Sequence, residues 1–257
     1  MVSQRNITLP AFGGWSGMAA DLMPDLGPFE GYAVVQAGAG ADPNSLIGFE
    51  TYGGTTDFAG LAAIPGSGAF ETGHATSFLS QGGYVSTLVL VNYASTPHTV
   101  SVTVGGLAYN GRAAASPTQT EELTLAPYQR AEVRLHELFD FEGDDVISGF
   151  VRFQVQDDTA GLLGYMELSG AGGRLTALPI QGMGYSNSSF SYMADGPQNY
   201  TAIALTNPGF QTASIVIDAF DPRGYALGSK TITLDPGGNC LWMLRDLIPK
   251  TGNQTGR

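Results

Sequence analysis

Three histidines, two acidic doublets, one cysteine and a few glycine-rich turns are the residues of this chain whose types could do chemistry. Histidine can relay protons or ligate a metal. His74, His98 and His136 lie in different segments, no H-E-x-x-H spacing occurs, and the residues aligned with His136 are Ala20 and Arg245. His136 is therefore expected to be exposed beside a turn. Asp144-Asp145 and Asp157-Asp158 could lend oxygens to calcium. A calcium site gathers about six to eight converging oxygens, and neither doublet belongs to a D-x-D-x-D-G loop, so both read as solvated turn acids. GGWSG at 13–17 holds Ser16 one position away from the order of a nucleophile elbow and reads as a turn. GAGAD at 38–42 and GAGGR at 170–174 open no helix after a strand, so they are expected at strand turns, not around a phosphate. Cys240 aligns with Trp15 and Ala131 and reads as a small buried hydrophobe. No catalytic, cofactor-binding or metal site is assigned, and a non-enzymatic protein is expected.

The elements that carry these residues are those of an all-β chain. With 257 residues, the chain can bury a real core as one large domain or two smaller ones. Gly 36 and Pro 14, 43% apolar residues and only 13% charged ones describe a globular chain with many tight turns. The formal charge of −12 repels phosphate backbones and anionic lipid heads, which argues against nucleic acid as a partner. A single cysteine forbids an internal disulfide. No run reaches the roughly 18 apolar residues of a spanning helix, and the first 30 residues show no basic and apolar leader, so the chain is expected to be cytosolic or already processed, without membrane insertion. Four N-glycosylation triplets, at Asn6, Asn187, Asn199 and Asn253, are read as chance occurrences in a chain rich in Asn, Ser and Thr.

Three related phrases organise the chain. NITLPAFGGWSGMAADL, LTLAPYQRAEVRLHEL and TITLDPGGNCLWMLRDL bring Leu9, Leu125 and Leu234 into one column, and twelve residues later Asp21, Glu137 and Asp246, each followed by leucine. Each phrase predicts a Thr-Leu strand, a Pro turn, a second short strand and one acid-Leu helical turn. A second family pairs GYAVVQA at 31–37 with GFVRFQV at 149–155, and IGFETY at 47–52 with LGYMEL at 163–168. It closes on GLAAIP at 60–65 and RLTALP at 174–179. A third pairs 84–104 with 200–220, where Asn92 and Asn207 each end a strand at a turn.

The order first, second, third, first, second, third, first gives about two immunoglobulin-like sandwich equivalents of six or seven strands each. Two cuts remain open. Residues 1–66 are the second part of one repeat, 67–180 a complete repeat and 181–257 the first part of a third; or 1–116 and 117–230 are complete and 231–257 is a surplus hairpin.

LVLVN at 88–92, TVSVTV at 99–104, TLAP at 124–127, HELFD at 136–140, SGFVR at 148–152 and RLTALP at 174–179 together resemble uncharacterised immunoglobulin-like β-sandwich tandem repeats of bacterial extracellular proteins. The resemblance implies an extracellular or cell-surface array and carries no catalytic residue. The first copy departs from it, with Gly13, Gly14 and Gly17 where the others hold larger residues.

The function expected from these features is structural: head-to-tail self-association through complementary β segments into a filament or surface array. The hairpins at 7–24 and 231–249 are the expected contacts, through Ile7, Leu9, Leu22, Ile232, Leu234, Trp242 and Leu247. The alternative is a carbohydrate-binding or adhesion module meeting a surface polysaccharide through rings such as Phe190, Tyr192 and Trp242, though the alternation Phe190, Tyr192, Ala194 also reads as a strand.

Overall fold

The computed structural model describes residues 4–10, 15–26, 32–36, 38, 49–53, 61–65, 72–109, 112–113, 118–141, 146–157, 161–170, 174–181, 190, 193–196, 200–252 and 255–256. The chain is all-β, with antiparallel ladders throughout and helices of single turns. Two compact units divide it, residues 1–42 and 43–257.

In the first unit, α1 (Ala19–Leu22) and a 3-10 turn at Pro24–Leu26 are the regular elements among the described residues. Arg5 pairs with Asp25 at 3.1 Å between exposed side chains. The strands expected within 7–24 and at 31–37 are not formed in the described parts of those segments. A strand exists only as a member of a ladder, because its N–H and C=O groups need partners, and among the described residues no ladder includes these segments.

The second unit begins with the hairpin of β1 (Phe49–Gly53) and β2 (Leu61–Pro65). A sandwich-like pair of sheets follows. One sheet runs β11 (Arg174–Pro179), β10 (Leu162–Gly170), β4 (Val85–Asn92), β8 (Arg130–Arg134). The other runs β3 (Thr72–Ser80), β9 (Ile147–Val155), β5 (His98–Tyr109), β6 (Arg112–Ala113), with β7 (Thr118–Leu125) also on β5. Alternation on β5 and β9 turns Val100, Val102, Val104, Val151, Phe153 and Val155 inward, where all are fully buried with Phe78, Leu88 and Leu90. Each such side chain contributes roughly 1.5–3 kcal/mol.

The remaining strands form three two-stranded ladders. β12 (Met193–Ala194) pairs with β17 (Thr255–Gly256), β13 (Ala202–Thr206) with β16 (Asn239–Met243), and β14 (Ala213–Phe220) with β15 (Ala226–Leu234). The expected hairpin at 231–249 is a corner instead: its two strands join different ladders, as β7 and β8 join different sheets. The Pro-containing turn carries the chain across the layers, which frees each strand to pair with its own neighbour. The expected strand through Phe190 and Ala194 is confined to Met193–Ala194, and Phe190 lies outside it, 57% exposed; Tyr192 lies outside the described residues.

Several of the segments aligned in the sequence share local detail. The helical turns α1, α2 (Leu135–Leu138) and α3 (Leu244–Leu247) occupy one column. Asn92 accepts from Ala94 N–H at 2.9 Å, and its amide nitrogen donates to the carbonyls of Thr96, Leu125 and Ala126 at 2.8, 3.2 and 3.0 Å. Asn207 repeats the set with Gly209 N–H and the carbonyls of Gln211, Leu234 and Asp235 at 3.1, 2.7, 3.0 and 3.1 Å. Ser86 Oγ accepts from Leu79 N–H and donates to Leu79 O, and Thr201 Oγ1 does the same with Ala194. Each hydroxyl closes a backbone pair that no ladder bond serves.

Candidate association edges

Counterpart strands in the two halves differ in what flanks them. β4 is paired on both edges, by β8 and β10, and β5 on both, by β7 and β9. β13 and β14 keep the counterparts of β8 and β7 in the same register: Thr87↔Arg134 matches Ala202↔Met243, and His98↔Leu125 matches Ala213↔Leu234. Among the described residues no strand pairs with the second edge of β13 or of β14.

Burial records the difference. Val100 and Val102 on β5 are fully buried, whereas the aligned Ile215 and Ile217 on β14 are only half-buried; Leu90 is fully buried, the aligned Leu205 half-buried. The solvent face of β14 exposes Val216, Asp218 and Phe220. An edge that no described strand pairs with, beside half-covered isoleucines, is a template for another strand. Smaller clusters, Met193, Ile203, Ala219, Leu244 and Ile248, and Ile232, Leu234 and Cys240, serve as the core here.

The residues expected to make the contacts are dispersed. Ile7 and Leu9 are exposed and Leu22 half-buried in the first unit. Ile232 and Leu234 are buried by Leu205, Ile215, Ile217 and Leu247 of their own chain, Leu247 is half-buried, and Trp242 keeps about a third of its surface in water. Sequence patterns did not single out the β14 edge, because periodicity tells which face of a strand is apolar and not which neighbours it has.

Residues with chemical potential form no reactive set among the described residues, where no group of three or more His, Cys, Asp and Glu gathers. His136 is exposed on α2, as expected. Cys240 is buried on β16, as expected, and burial pushes its thiol pKa up, offset in part by a hydrogen bond from Leu205 backbone. Asp157 is exposed in a turn, as expected, and also bonds Nδ1 of the buried His98 at 2.9 Å. The imidazole sits at the start of β5 against Gly161, where a Cβ would meet Nε2 at 2.4 Å, so the glycine packs directly on the ring. Gly170 and Arg174 bound the β10–β11 turn, as expected of GAGGR. Asp144, Asp145 and Asp158 lie outside the described residues.

No family model matches the chain, and no curated protein matches it. Among solved structures, the crystal structure of Thermotoga maritima 1070 is similar over 44% of this chain and 94% of that one, at 10% identity and a TM-score of 0.34.

Proposed function

We propose that this chain is a non-enzymatic structural protein of tandem immunoglobulin-like sandwich equivalents that associates head to tail, through complementary β segments, into an extracellular filament or surface array. The observation that carries the reading is the β14 edge: among the described residues no strand pairs there as β9 pairs with its counterpart β5. A strand-forming segment in one copy and an unfilled edge in another make a heterologous contact that does not close on itself, and repetition of it builds a polymer. The like-for-like hydrogen bonds of Asn92 and Asn207, and of Ser86 and Thr201, support the tandem organisation. The test is the mass of the purified chain by light scattering over a concentration series, with electron micrographs of the same samples. Mass growth with concentration and fibres are expected; a monomer throughout would overturn the reading.

A second reading, an adhesion module for polysaccharide, is favoured by Tyr93 and Tyr128, both exposed at one loop end where Tyr128 N–H meets Ala94 O at 3.3 Å. Exposed rings at a loop end can stack on sugars. A polysaccharide that raises the melting temperature of the monomer, with the rise lost in Tyr128→Ala, would support it.

A further inference from the structure

From the β5–β9 register we infer that residues 32–36 of a second copy add antiparallel to the open edge of β14, with Val35 opposite Ile217. The inference rests on the association reading above and names its donor, acceptor and register.

The acceptor is defined by alignment. Val102 of β5 stands opposite Phe153 of β9 and Thr103 opposite Arg152; the residues of β14 in those columns are Ile217 and Asp218. The donor is defined the same way, since GYAVVQ at 31–36 aligns with GFVRFQ at 149–154, which places Val34 on Arg152 and Val35 on Phe153. In β9 this pattern alternates between the core and the outer face, so Ala33 and Val35 would point inward and Val34 outward. Phe153 is fully buried, whereas Val35 is 79% exposed in a β-branched stretch that forms no strand. Residues 32–36 thus align with a central strand but are not in a strand themselves, and among the described residues β14 pairs on one edge alone.

β1 competes for the same role at the β13 edge and is the poorer donor. Its Glu50 stands where β10 carries the buried Met166, so adding β1 to β13 in the β4–β10 register would place a carboxylate opposite Ile203. A five-residue strand buries less than the roughly 1,000 Å² of a stable complex, so a single joint is weak and its formation depends on concentration.

Cysteines test the register. In a Cys240→Ala background, Val34→Cys and Asp218→Cys place thiols on exposed, outward positions that the inference sets directly opposite. Opposed antiparallel residues stand about 4.5–5.5 Å apart at Cα, within the disulfide range of about 4.4–6.8 Å. The two single variants, mixed and oxidised with glutathione disulfide, are expected to give a cross-linked heterodimer. Val34→Cys mixed with Ser214→Cys, four residues off register on the same face, is expected to give none. Association by light scattering without the Val34–Asp218 cross-link overturns the register and leaves the association reading standing. Cross-linking only within single chains of the double variant overturns the assignment to a second copy, and absence of any association overturns both. A second variant guards against misfolding: Val35→Asp alters an exposed side chain, so the melting temperature of dilute protein should hold while association weakens by more than about tenfold. Unchanged association in that variant would also overturn the inference.

Discussion

Replacing Asn92 by alanine tests whether the loop ends are held by side-chain amides. Asn92 is fully buried, accepts one backbone N–H and spreads its two amide protons over three carbonyls. Three full hydrogen bonds at about 1 kcal/mol each give about 3 kcal/mol. Thr96 and Ala126 are exposed, so water can reach two of the orphaned carbonyls, whereas Leu125 is buried and its carbonyl has less access. That discounts the total to about 2–3 kcal/mol, with the cavity of the lost side chain adding to it. Asn92→Asp should cost more, because an ionised carboxylate would face three carbonyl oxygens. Urea unfolding followed by circular dichroism, at a fixed dilute concentration, reads both variants against the parent. Asn207→Ala should be milder, about 1–2 kcal/mol, since its strands are more exposed. A cost below about 0.5 kcal/mol for Asn92→Ala would refute the role assigned to the amide.

Gly237 and Tyr128 occupy one alignment column, both at positive φ, 68° and 59°. An added Cβ at Gly237 meets nothing within 4 Å, so Gly237→Ala should cost only the left-handed penalty, about 1 kcal/mol, in the same urea assay. At Gly164, a Cβ would stand 2.4 Å from Val89 O between paired strands, so Gly164→Ala should cost about 2–3 kcal/mol, while Gly170→Ala, with contacts no closer than 3.4 Å, should be nearly neutral. Cys240 should resist a thiol reagent until the chain unfolds. Because burial raises its folded pKa, the unfolded chain loses this proton first, so stability from this group is full below the ordinary thiol range and falls as pH rises through it; flat stability there would contradict the assignment.

The β class was legible in the glycine and proline content and in the period-two runs, because those features act locally. The acid-Leu helical turns were legible as well, from the recurrence of Asp21, Glu137 and Asp246 with their leucines. Asn92 and Asn207 were legible only by half. Their bonds to nearby backbone follow from residue type, but the reach to Leu125 and Leu234 is a long-range contact that alignment does not announce. His98 and Asp157, 59 residues apart, meet for the same tertiary reason. Residues 32–36 show propensity overridden: a valine-bearing sequence that aligns with a strand is not itself in one. The corner at 231–249 has the sequence of a hairpin, because a tight turn between two strands looks the same whether they pair with each other or with different neighbours.

Backbone amide hydrogen exchange at low and high protein concentration tests association through β14 most directly. Ala213–Phe220 is expected to gain protection as concentration rises, residues 32–36 to gain it in parallel, and β5, already paired on both edges, to stay unchanged. Mass growth with no added protection on β14, or protection arising elsewhere alone, would contradict it.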